Sequence, residues 1–181
     1  MDLPANRASD VVLVHSSDLH VDEDRAAGLR SGDGTAALRT VLATARALRA
    51  DILILAGDTF ENNQLGWAIL DRTRGLLADA DFPVVILPGN HDPALAHGHY
   101  EPPGTRANPL RPSWVFSDEE ITATGVDYLA LGHWDRPMRV GDGIVPAYYS
   151  GSPDLAQTVN MVRLTTTGEV IVTRERLSPD T

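Results

Sequence analysis

Phe82-Pro83-Val84-Val85-Ile86-Leu87-Pro88-Gly89-Asn90-His91-Asp92 decides how the rest of the chain is read. Val84 to Leu87 is an apolar, largely β-branched run with the length of a buried strand. Pro88-Gly89 stops it with a turn signal. Three residues able to hold a metal or move a proton follow at once: Asn90, His91 and Asp92. Open α/β sheets place their sites at such strand ends. A plain polar loop after a core strand would look the same, so the flanking sequence must choose.

Upstream, the same arrangement occurs twice more. Val11 to Ser16 reads as a buried strand and runs into Ser17-Asp18-Leu19-His20. Asp51 to Ala56 reads as another and runs into Gly57-Asp58. Between them, Leu38, Val41, Leu42, Ala45 and Leu48 recur at helical spacing and predict an amphipathic helix over 35–50. Leu65 to Ala80, carrying Trp67, Ile69, Leu70, Leu76 and Leu77, predicts a second. Strand, helix, strand, helix, strand is the pattern of a parallel sheet with right-handed crossovers. Parallel strands end on one edge, so Asp18, His20, Asp58, Asn90 and His91 can converge.

Downstream, residues 93–112 are proline-rich and contain His97 and His99. Asp118 to Thr124 predicts a short helix with Ser117 as N-cap and Glu120 at capping-box spacing. Asp127 to Leu131 predicts a strand ending in Gly132-His133-Trp134-Asp135. Ile144 to Tyr149, Thr158 to Leu164 and Val170 to Arg174 predict antiparallel strands that close the fold. The expected organisation is a lead-in over 1–10, one domain over 11–176 and a tail over 177–181. A chain of 181 residues suffices for one such core.

Composition narrows the chemistry. There is no cysteine, which leaves His, Asp, Glu and Asn as candidate metal ligands. The net charge is −10 and all 15 basic residues are arginine, so the chain lacks the positive field of a non-specific nucleic-acid binder. A phosphate substrate would need local positive charge, which bound cations supply. The N-terminus has no secretory signature and no apolar run has the length of a membrane span, so a cytoplasmic location is expected, with no membrane partner. Imidazoles and carboxylates without thiolate suit manganese, iron or zinc. Two such ions about 3.5 to 4 Å apart clamp a phosphoryl group and make hydroxide available near neutral pH.

Asp18-x-His20, Gly57-Asp58, Gly89-Asn90-His91-Asp92, His97-Gly98 and Gly132-His133-x-Asp135 together resemble the calcineurin-like metallophosphoesterases. Asp127 to His133 and Tyr149-Ser150-Gly151-Ser152-Pro153 are similar to the DNA-repair exonuclease branch typified by SbcD. The resemblance implies an α/β sandwich of two mixed sheets flanked by helices, in four layers. It implies two divalent cations, manganese first and iron or zinc as alternatives. Asp18, His20 and Asp135 would hold the first, Asn90, His97 and His133 the second, and Asp58 would bridge. His91 would face the phosphate, stabilising the transition state or protonating the leaving oxygen. A phosphodiester such as DNA, an SMC-type ATPase and a second copy of the chain are the partners it suggests.

Two departures stand out. The family's last motif ends in histidine where this chain has Asp135, which points to a change of metal preference. Relatives insert a helix and a strand before the next histidine, whereas only residues 93–96 separate Asp92 from His97. The seven steps from Asn90 to His97 span at most about 25 Å, so both can meet one ion while a sheet position stays empty. Nor does sequence remain after the last strand for the DNA-capping domain of full-length nucleases. Elsewhere the plain readings hold. His15 is structural, Trp67 and Trp134 pack, and Asp22, Glu23 and Asp24 form a solvated run. His99 is an alternative to His97, and Asp92 either orients the turn or touches metal. Ser150 and Ser152 are loop residues near the site.

Overall fold

The first strand along the chain sits at the middle of the larger sheet. In the computed structural model, which describes residues 9–23, 32–62, 64–92 and 117–178, β1 (Val11–Ser16) has neighbours on both sides. It pairs in parallel with β2 (Ile52–Ala56), which pairs in parallel with β3 (Val84–Leu87). On its other side it pairs antiparallel with β7 (Thr158–Leu164), which pairs antiparallel with β8 (Val170–Arg176). The order is therefore β3-β2-β1-β7-β8. A smaller mixed sheet has the order β4-β6-β5, from β4 (Leu129–Leu131), β5 (Met138–Val140) and β6 (Ala147–Tyr149). Helices α1 (Ala36–Ala47), α2 (Trp67–Ala78), α3 (Asp118–Ala123) and α4 (Pro153–Ala156) complete the described elements. This is the expected α/β class: two mixed sheets flanked by helices.

The core forms where the periodicity placed it. α1 buries Leu38, Val41, Leu42 and Ala45 in one cluster with Val14, Leu53, Leu55 and Val159 of the large sheet. Burying a Leu or Val side chain is worth about 1.5–3 kcal/mol, so this stripe fixes α1 on the sheet. Leu19 and Val21 join the same cluster from the loop after β1. They anchor the backbone on either side of His20. α3 carries the capping box read from Ser117 and Glu120, with both reciprocal bonds formed.

Several expectations are corrected. β3 was expected to be buried, but it is the edge strand among the described residues, and Val85, Ile86 and Leu87 are exposed. Its apolar run matches a central strand in composition alone; position in the sheet order is a tertiary property. The last strands do not close the fold as one antiparallel set. β6 runs parallel to β4 in the small sheet, while β7 returns to β1. β5 was missed because three residues, Met138–Val140, are too few to establish a period. α4 was missed too, although Ser152 caps it and Pro153 sits in its first turn. Trp67 is 87% exposed, because α2 turns Ile69 and Thr73 inward instead, and Trp134 is 52% exposed in the loop after His133. Neither packs in the core. Asp22, expected in solvent, is buried, with its backbone N–H bonded to the carbonyl of Gly34.

Candidate metal centre

Because β1, β2 and β3 are parallel, the loops after them leave the sheet on one edge. The first two run side by side. The Asp18 N–H donates to Gly57 O at 3.1 Å, His20 N–H to Asp58 O at 3.1 Å, and Val21 N–H to Thr59 O at 2.9 Å. This short parallel ladder sets Asp18, His20 and Asp58 together. Asp18, His20, Asp58 and His133 have φ of 55°, 48°, 49° and 81°, in the left-handed region that L-residues avoid. Four candidate ligands thus sit in a backbone conformation that costs of order 1–3 kcal/mol each.

The turn after β3 is docked on Asp58. The His91 N–H donates to Asp58 Oδ1 at 2.9 Å. A side chain at Gly89 would collide with the Asp58 backbone and carboxylate, so only glycine allows this approach. The Asp92 carboxylate accepts from the N–H groups of Thr59 at 2.8 Å, Phe60 at 2.6 Å and Gly89 at 3.1 Å. Of the two roles open for Asp92, the geometry selects orientation of the turn. The small sheet enters through Gly132, whose missing Cβ leaves room for the carbonyl of Ala56. The His133 N–H then donates to both oxygens of Asp18 at 3.1 Å, and His133 Nδ1 stands 3.9 Å from Asp58 Oδ2.

Ligand atoms of Asp18, His20 and Asp58 lie within 4.8 Å of one another, as do those of His20, Glu61 and His91. Glu61 was not anticipated. His20 Nδ1 is 2.8 Å from Glu61 Oε2, off the line of a ring N–H bond, and His91 Nδ1 donates to the Glu61 carbonyl at 2.7 Å. The rings of His20 and His91 meet edge to face at 5.1 Å. The readable signal was an acid three residues beyond Asp58. Asn90 is exposed at the turn. Asp135 is likewise exposed and outside both clusters; its carbonyl accepts from the Ser152 N–H at 3.1 Å. His97 and His99 lie outside the described residues.

The electrostatics call for a cation. Burial pushes the Asp18 carboxyl above its usual range, against the Ser17 hydroxyl that lowers it, and the neighbouring Asp58 charge raises it further. Two buried carboxylates side by side are costly unless a positive charge joins them. The oxygen and imidazole donors of Asp18, Asp58 and His20, with His133 beside them, suit a divalent ion of the manganese, iron or zinc type. The residues present therefore fit a metal. The His91 ring is held above its ordinary pKa by the Glu61 carbonyl on Nδ1, against partial burial, with Asp58, Glu61 and Asp92 adding to the rise.

Strand-end acids and histidines converging beside a positioned imidazole define a metal-dependent phosphoester hydrolase class. The calcineurin-like phosphoesterase profile matches residues 11–135, from the first residue of β1 to Asp135. The chain belongs to that family. No curated protein matches it by sequence. Among solved structures it is similar to Vps29 from Entamoeba histolytica. A single-mutant form is 16% identical, covering 93% of this chain and 100% of that one, with a TM-score of 0.49. The wild-type form complexed with zinc is 15% identical over the same shares, with a TM-score of 0.41. No helix among the described residues is long and apolar enough to cross a membrane.

Proposed function

We propose that the chain is a two-metal phosphodiesterase of the DNA-repair exonuclease type, with manganese as its first metal. The observation that carries this reading is the meeting of Asp18, His20, Asp58 and His133 beside His91 on one sheet edge. Asp18, His20 and Asp58 would hold one ion, and the family motif assigns Asp135 to the same ion and Asn90, His97 and His133 to a second. Such ions offset phosphate charge and activate water when bound. The chain's own work is positional. Asp92 and Gly89 fix the turn, and the Glu61 carbonyl keeps the proton on His91 Nδ1. A cationic His91 then presents Nε2–H to the leaving oxygen and transfers that proton as the P–O bond breaks.

The test is manganese-dependent hydrolysis of bis-p-nitrophenyl phosphate. His91→Ala is expected to lower the rate by about 10²- to 10⁴-fold while the protein still binds metal. A chain that binds no manganese and cleaves nothing is a scaffold, and the proposal fails. A second reading, a small-molecule phosphodiesterase or phosphomonoesterase, is favoured by the net charge of −10, which repels a polyanion. Comparing single-stranded DNA with a cyclic nucleotide separates the two. An SMC-type ATPase partner and a homodimer belong to the first reading and are tested by co-purification and sedimentation.

A further inference from the structure

We propose that Ser150 is a positioning residue for the metal centre, acting on Asp18 through Ser17. The inference rests on the reading of Asp18 as a metal ligand. Ser17 and Ser150 are fully buried and 133 residues apart, yet their hydroxyl oxygens are 2.9 Å from each other. Ser17 Oγ in turn lies 2.5 Å from Asp18 Oδ2 and donates to it. A hydroxyl has one proton to give, and an ionised carboxylate can only accept. The Ser17 proton is therefore spent on Asp18, and between the two serines Ser150 must be the donor. The Gly151 carbonyl, 3.2 Å from Ser150 Oγ, is a longer second acceptor for the same proton. The chain Ser150 to Ser17 to Asp18 runs in one direction and ends on the ligand.

The surroundings of Ser150 serve the same end. Gly151 has φ of 77°, and a Cβ there would press on Pro137, Ala156 and the Asp135 carbonyl at 2.8–2.9 Å. Glycine thus lets the loop seat against residues 135–137. The next N–H, from Ser152, donates to the Asp135 carbonyl. Three consecutive residues hold both acids assigned to the first ion, Asp18 through its carboxylate and Asp135 through its backbone. Hydrogen-bond partners of metal ligands typically change affinity by 10- to 100-fold. Ser150, one bond further out, is expected to matter less.

Manganese affinity of the full chain, read by calorimetry, tests this with a double-mutant cycle. Ser17→Ala is expected to weaken binding about 10-fold or more, and Ser150→Ala about fivefold, the worth of one net hydrogen bond. In the Ser17→Ala background, Ser150→Ala should cost nothing further. General loosening of the fold would instead make the two losses multiply, which would overturn the proposal, as would unchanged affinity in Ser150→Ala. Should that variant not fold, Ser150→Cys, with its weak S–H donor, must give a smaller loss that again vanishes without Ser17. A wild-type chain that takes up no manganese overturns the metal reading and this inference together. A chain that binds manganese but cleaves no phosphodiester leaves the inference standing and sinks only the activity.

Discussion

His133 holds its backbone at φ of 81° with its side chain 78% exposed, a strained position that its own packing does not repay. The bond it supplies to the Asp18 carboxylate comes from the main chain, so the imidazole is there for something else. His133→Gly is therefore expected to raise the urea-unfolding stability of the metal-free protein by up to about 1 kcal/mol. The same change should weaken manganese binding at least 10-fold. A loss of stability with affinity intact would mean that the side chain is structural. At this scale the sequence was most legible where a candidate ligand follows a strand directly, as with Asp18, His20, Asp58 and His133. It was silent on Glu61 and on any role for Ser17, and it placed Ser150 only as a loop residue near the site. The meetings of Glu61 with His20 and of Ser150 with Ser17 are set by how separate loops pack, and no local pattern encodes them. Asp135 reads as a ligand from its motif, yet its carboxylate stands outside both clusters.

The loops after β2 and β3 behave as one element because Asp92 clips them. Its two oxygens take three backbone N–H groups, two from the Gly57–Phe60 side and one from its own turn. Asp92→Ala leaves all three without their acceptor in a partly buried setting, at about 1–3 kcal/mol per unpaired group. Partial access of water reduces the sum, and a loss of about 2–4 kcal/mol in urea unfolding is expected. Manganese affinity should fall with it, since Asp58 is fixed by the same turn through His91 N–H. Asp92→Asn, which keeps one acceptor oxygen, should lose less on both counts. Equal stability in Asp92→Ala and wild type would sink the clip. Elements with a full period were legible here: β1, β3 and β7 have the bounds their patterns predicted, and α1 buries its predicted stripe. The three-residue strand β5, the parallel pairing of β6 and the exposed edge at β3 were not, since strand pairing is chosen among distant segments.

The two sheets are joined through a pair, buried His15 and half-buried Tyr128, that neither segment announces. His15, in the middle of β1, has no exposure, and its Nδ1 lies 2.8 Å from the Tyr128 hydroxyl just before β4. The rings meet edge to face at 5.9 Å. Burial lowers the His15 pKa from 6.5 to about 4, with the Leu131 backbone opposing, and burial holds the Tyr128 phenol above its usual range. Both groups are therefore neutral in the folded protein at pH 7. As pH falls from 6.5 towards 4, the unfolded chain binds a proton at this histidine and the folded chain does not. Stability from His15 is thus full above pH 6.5 and is lost as pH falls through that window. The shift corresponds to roughly 3 kcal/mol in all, of which about 2–3 kcal/mol disappears between pH 7 and pH 4.5. His15→Gln cannot titrate. It should start less stable at pH 7 yet lose about 2–3 kcal/mol less than wild type on going to pH 4.5, because the carboxylates titrate alike in both proteins. Parallel stability profiles for the two would show that His15 is protonated in the folded chain, and that the junction between the sheets is not the neutral pair its burial requires.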